Sequence, residues 1–171
     1  MSVSNEVAVL RGEIAKTRAV LARLEGFYDD AVRRLPLPDQ RNRDQAIVLA
    51  DTLVNYYTGL ETIFLRISQF FENSLRKDRW HQDLLSKMTL AIENVREPVV
   101  TDRTQSLLDD LLRFRHFKRY YYDIDYDWAR IDFVRGRFDA VRGPLQADLD
   151  RFDQFLERLE HAGGSQDEPG V

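Results

Sequence analysis

The chain contains no cysteine. Disulfides, thiolate nucleophiles and cysteine-based zinc sites are thereby excluded, and the composition fits a cytosolic protein. Long apolar runs are also missing. None approaches the roughly 20 residues that a membrane-spanning helix needs, so no membrane association is expected. The opening Met1-Ser-Val-Ser-Asn-Glu6 has no basic region followed by an apolar stretch, so no secretory leader is expected and the chain reads as cytoplasmic. Glycine and proline are scarce, with 8 and 5 among 171 residues, and no repeat or low-complexity block appears. An excess of positive charge is absent too. The formal net charge of −4 argues against general coating of nucleic acid, so any such contact has to come from a local basic patch. There is no P-loop, dinucleotide fingerprint, nucleophile elbow or His-Glu-x-x-His.

What is present is helical periodicity. Hydrophobic residues make up 43% and charged residues 32%, enough apolar surface to fold one domain with one core. Leu10, Ile14, Thr17, Leu21, Leu24 and Tyr28 recur every three or four residues and predict a helix from about Asn5 to Arg34, broken by Leu35-Pro-Leu-Pro-Asp39. A second stripe, Ala46, Leu49, Leu53, Tyr57, Leu60, Phe64, Ile67 and Phe71, predicts a helix from about Asn42 to Asn73. Leu84, Leu85, Met88 and Ile92 predict a third, about Trp80 to Asn94. A fourth begins at an N-cap on Thr101 or Asp102 and runs to about Tyr122. The fifth spans about Trp128 to His161 with Asp127 as its cap, and Gly143-Pro144 is expected to kink it. The prediction is an all-α, antiparallel bundle of about five helices over residues 1–162, followed by a disordered tail over 163–171.

Two polar anomalies interrupt the apolar stripes. On the fourth helix Leu108, Leu111 and Leu112 set the buried face; Arg115, Arg119 and Tyr122 continue it at helical spacing, with His116 at its edge. On the second helix Glu61 lies four residues after Tyr57 and three before Phe64, pointing into its own stripe. A buried carboxylate needs a partner, and Arg115 or Arg119 is the candidate. The pattern reads either as a polar pocket or dimer groove lined by Glu61, Arg115, His116, Arg119 and Tyr122, or as a structural ion pair beside a basic helix end favoured by the macrodipole.

The stretch from Leu112 to Trp128, with its Arg115-His-x-x-Arg119-x-x-Tyr122 core, resembles the signature of HepT-like ribonuclease toxins of the HEPN superfamily. Tyr56-Tyr-Thr-Gly-Leu-Glu61 and Asp78-Arg-Trp-His-Gln-Asp-Leu-Leu85 resemble the same group, and the likeness covers roughly residues 5 to 160. The HepT branch carries Arg-Asn-x-x-x-His-x-Tyr. Arg115 and Tyr122 match its ends, while His116 stands where that branch has Asn and Tyr120 where it has His.

The resemblance implies a toxin-type, metal-independent endoribonuclease of a toxin–antitoxin pair, with no metal and no cofactor. RNA would be its substrate and a nucleotidyltransferase-type antitoxin its inhibitor. It implies a homodimer through the motif helix. Arg115, His116, Arg119 and Tyr122 would be catalytic; Glu61, Tyr120, Arg113 and Lys118 would bind. Tyr122 would be the residue adenylylated, with Tyr120 and Tyr121 as neighbours able to take its place. The chemistry suits these residue types: His titrates near neutrality, Arg presents a fixed fork to phosphate, and Tyr stacks on bases. Tyr120 in place of His also fits a non-catalytic HEPN module that binds a nucleotide or a partner enzyme, and a structural helical adaptor is a third reading.

Three further signals read as structure. Asp123-x-Asp-x-Asp127 lacks the Gly and late Glu of a calcium loop. His81 beside Trp80 reads as a packed residue at a helix start, and His161 as a C-terminal cap.

Overall fold

The computed structural model describes residues 3–72, 80–120 and 126–164. They form five α-helices: α1 Val3–Arg33, α2 Arg43–Glu72, α3 Trp80–Lys87, α4 Asp102–Tyr120 and α5 Trp128–Gly164, with a 3-10 turn at Pro38–Gln40. No strand occurs among the described residues. The all-α bundle read from periodicity is the fold found.

Three helix starts have a visible cap. Asn42 and Gln45 cap α2 reciprocally, each side chain taking the other's backbone N–H at 3.0 Å. For α4 the cap is Thr101, whose Oγ1 accepts from the Thr104 N–H at 3.3 Å. Asp127 caps α5 as expected, its Oδ1 accepting from the Ala129 N–H at 2.9 Å.

The third helix is shorter than its stripe suggests. It ends at Lys87 rather than near Asn94, because Arg96 takes over the work of the next turn. The Arg96 side chain is fully buried and reaches Glu72 at 2.7 Å. It also donates to the backbone oxygens of Lys87 at 2.9 Å and Leu90 at 3.0 Å. The Lys87 carbonyl also accepts the Leu90 amide at 3.1 Å, a tighter turn that ends the helix. Asn94, with φ of 59°, turns the chain so that Ile92 pairs with Arg96. Val99 and Val100 then donate to the Met88 carbonyl and enter the core.

Pro144 does not interrupt α5, which is one continuous helix. The carbonyl that proline leaves without a donor belongs to Ala140, an exposed residue, where water can satisfy it. The helix also outruns its expected end. Gly163 lies so close to α1 that a Cβ there would sit 3.2 Å from the Ser4 amide nitrogen. The helix extends through Gly164, with His161 in its last turn. Residues 165–171 lie outside those described.

Helix α2 is the centre of the bundle and packs against all four others. Its antiparallel run along α1 is marked by Arg66 with Glu13 and by Tyr56 with Glu25. Where these helices approach, Gly59 sits against Leu21; a Cβ at Gly59 would lie 2.8 Å from a Leu21 methyl. Helix α5 closes antiparallel on both α1 and α4, through Arg11 with Asp153 and Arg137 with Asp110. Tyr28, Tyr56 and Phe138 fill the junction of α1, α2 and α5, with edge-to-face ring pairs at 4.6 and 4.8 Å. Beneath α4, Asp148 is buried and accepts from Thr104 Oγ1 at 2.6 Å and from the Thr101 N–H at 2.9 Å.

Candidate functional site

Helix α4 crosses α2 antiparallel, and the crossing brings the two polar anomalies together. Arg115 Nη1 and Nη2 bind Glu61 Oε1 and Oε2, each at 2.9 Å. Two parallel bonds between a guanidinium fork and a carboxylate give a fixed geometry. Glu61 is buried and the Arg115 side chain is 16% exposed, so the pair sits at the mouth of the interface rather than in its depth. Tyr57, one turn before Glu61, lies beneath, with the Arg115 guanidinium carbon 5.9 Å from its ring centre. Burial first, then the Glu61 charge, push the Tyr57 phenol above its usual pKa.

The Glu61 partner is thus Arg115 and not Arg119. Arg119 continues the stripe in sequence, yet it is exposed among the described residues. His116 is half-buried beside Arg115. Tyr120, at the motif histidine position, is 70% exposed. Lys118 reaches across to Asp51 of α2, and burial holds its ammonium below the ordinary lysine value. Arg113 pairs with Asp109 one turn earlier at 2.7 Å. Tyr122 and Asp123 to Asp125 lie outside the described residues, as do Tyr121 and the side chain of His81.

Glu61, Arg115, His116, Arg119, Lys118 and Tyr120 therefore gather on and beside the last turns of α4. Sequence reasoning missed Asp51, which balances Lys118, and the role of Tyr57 as the floor under the pair. Tyr57 had the spacing of an ordinary core residue. Among the described residues no three His, Asp or Glu side chains are grouped as metal ligands.

Chemically the arrangement is a clamp. Arginine offers five N–H donors; Glu61 takes two and fixes the plane. The other three, with the guanidinium of Arg119 a turn further on, suit the oxygens of a phosphate. His116 sets an imidazole, the side chain most often used in general acid–base chemistry, beside the pair.

An all-α antiparallel bundle with a buried ion pair at the foot of a basic helix end is the class that these observations define. A family model described as HepT-like protein matches residues 48–156, from α2 through α3 and α4 into α5. The chain belongs to that HepT-like family. Neither the curated proteins nor the solved structures give a match. No described helix is long and apolar enough to cross a membrane.

Proposed function

We propose that this HepT-like chain is a toxin-type, metal-independent endoribonuclease of a toxin–antitoxin pair, silenced by a nucleotidyltransferase-type antitoxin. The observation that supports it is the Glu61–Arg115 clamp, which sets an oriented guanidinium beside His116 and below Arg119 within the family-matched span. In this reading His116 accepts the proton of an RNA 2′-OH as its oxygen attacks the adjacent phosphorus. The 5′-oxygen leaves as that bond breaks, taking a proton, and a 2′,3′-cyclic phosphate remains. Arg115 and Arg119 donate to the non-bridging oxygens, where negative charge grows. Pairing two copies through α4 would place two such clusters in one groove, and the homodimer is part of the proposal. So is modification of Tyr122: an adenylyl phosphate there would occupy the guanidiniums that substrate needs.

A second reading, a non-catalytic module that binds a nucleotide or partner enzyme, is favoured by Tyr120 at the position of the motif histidine. A panel of single-stranded and structured RNAs, incubated with purified chain in excess chelator, separates the two. The first reading expects products ending in cyclic phosphate, and their disappearance after co-expression with a nucleotidyltransferase-type antitoxin. Intact RNA throughout, with retained nucleotide or partner binding, overturns it in favour of the second.

A further inference from the structure

Helices α4 and α5 leave an open groove of about 400 Å³ on the side of α4 away from Glu61, lined by Asp110, Arg113, Phe117, Arg130, Phe133 and Val134. That volume is within the range of small-ligand sites, roughly 300–1,000 Å³. Its walls alternate guanidinium and ring. Arg130 lies flat over Phe117, its guanidinium carbon 3.9 Å from the ring centre. Arg137 lies 5.2 Å over Phe133 and is steadied by Asp110 at 2.8 Å. Phe133 is nevertheless 53% exposed. That leaves ring surface open beside the Arg137 guanidinium and next to Phe117 and Val134 in the same groove.

The groove's α4 residues follow the Arg115 cluster around the helix. At about 100° per residue, Arg115, Arg119, His116, Tyr120, Arg113 and Phe117 follow one another around α4 at roughly 0, 40, 100, 140, 160 and 200°. A strand lying across the exposed side of α4 passes from the clamp over Arg119, His116 and Tyr120 into the groove. Along α5, Arg130 and Arg137 are two turns apart, about 10 Å.

We infer that the α4–α5 groove is a subsite for single-stranded RNA, holding the nucleotides that flank the bond presented to Arg115 and His116. The identity of the strand rests on the endoribonuclease reading; the groove's chemistry does not. Bases stack on Phe133 and Tyr120, both exposed. The edges of Arg113, Arg130 and Arg137 meet phosphates. Stacking tolerates any base, so the subsite adds affinity and register rather than sequence choice. Asp109 and Asp110 offset Arg113 and Arg137, so Arg130 is the groove's main contact for phosphate.

The test is fluorescence anisotropy with a labelled 12-nucleotide single strand carrying 2′-O-methyl groups, which cannot be cleaved for want of a free 2′-OH. Phe133→Ala and Arg130→Gln should each weaken binding about ten-fold, the scale of one lost base stack. Arg130→Gln should also lower the slope of log affinity against log salt by about 0.7, one phosphate contact. If the parent binds the strand and both variants match it, the groove is not an RNA subsite, while the cleavage reading stands. If both variants instead lose capture of a nucleotidyltransferase-type antitoxin while binding RNA normally, the groove belongs to a protein partner and the inference falls. A parent that binds no strand at low salt overturns both.

Discussion

Arg115 of α4 and Glu61 of α2 share two hydrogen bonds of 2.9 Å, and the carboxylate side of the pair is closed to solvent while the guanidinium side is partly open. Such a pair contributes little net stability, since desolvation of the two charges offsets most of their attraction. Its value is in orientation.

Stability measurements should show that asymmetry. Arg115→Leu alone leaves a buried carboxylate without its counter-charge and should destabilise by about 3 kcal/mol. The double change Glu61→Leu with Arg115→Leu should recover most of that loss, because two apolar side chains fill the same space without desolvation. Urea unfolding of the parent, the single variants and the double variant makes the comparison. A double variant no more stable than Arg115→Leu would mean that the pair is a net stabiliser, and one as unstable as the sum of the single changes would mean that the two residues are not coupled.

The pair was legible in the sequence because Glu61 falls on a helical period otherwise occupied by Tyr57, Leu60 and Phe64. Periodicity places a residue on a face; it does not say how far the face stays covered. Arg119 therefore had the spacing of a buried residue and proved exposed. The early end of α3 was hidden for a different reason. Arg96 closes that helix from nine residues beyond Lys87 and depends on Glu72 of another helix. The Asn42–Gln45 cap was readable from its spacing and went unread. The α4–α5 groove could not be read, because Phe117 and Arg130 meet only once two helices pack.

Acid should act on the fold through Asp148. Burial raises its pKa, but hydrogen bonds from Thr104, the Thr101 amide and Arg151 outweigh burial and hold it below the ordinary aspartate value. A depressed folded-state pKa contributes stability that is fully present above the unfolded value near 3.9 and is lost as pH falls through the folded value. The parent should therefore lose stability as pH drops below about 4. Asp148→Asn should be less stable than the parent at pH 7 by about 2 kcal/mol, from lost charge-assisted bonds, and its disadvantage should shrink in acid. Denaturant titrations at pH 7 and pH 3 read the difference; a gap that stays constant would contradict the assignment.

The central claim is that the Arg115 and His116 cluster cleaves RNA, and one measurement addresses it most directly. Single-turnover cleavage of a responsive RNA, with chelator present, is followed for the parent, His116→Ala and the Glu61→Leu with Arg115→Leu double variant, whose helical circular dichroism confirms that each is folded. The account predicts that both folded variants lose at least two orders of magnitude in rate, the scale of removing a general base or a charge-stabilising donor. Folded variants that cut RNA at the parental rate would contradict it.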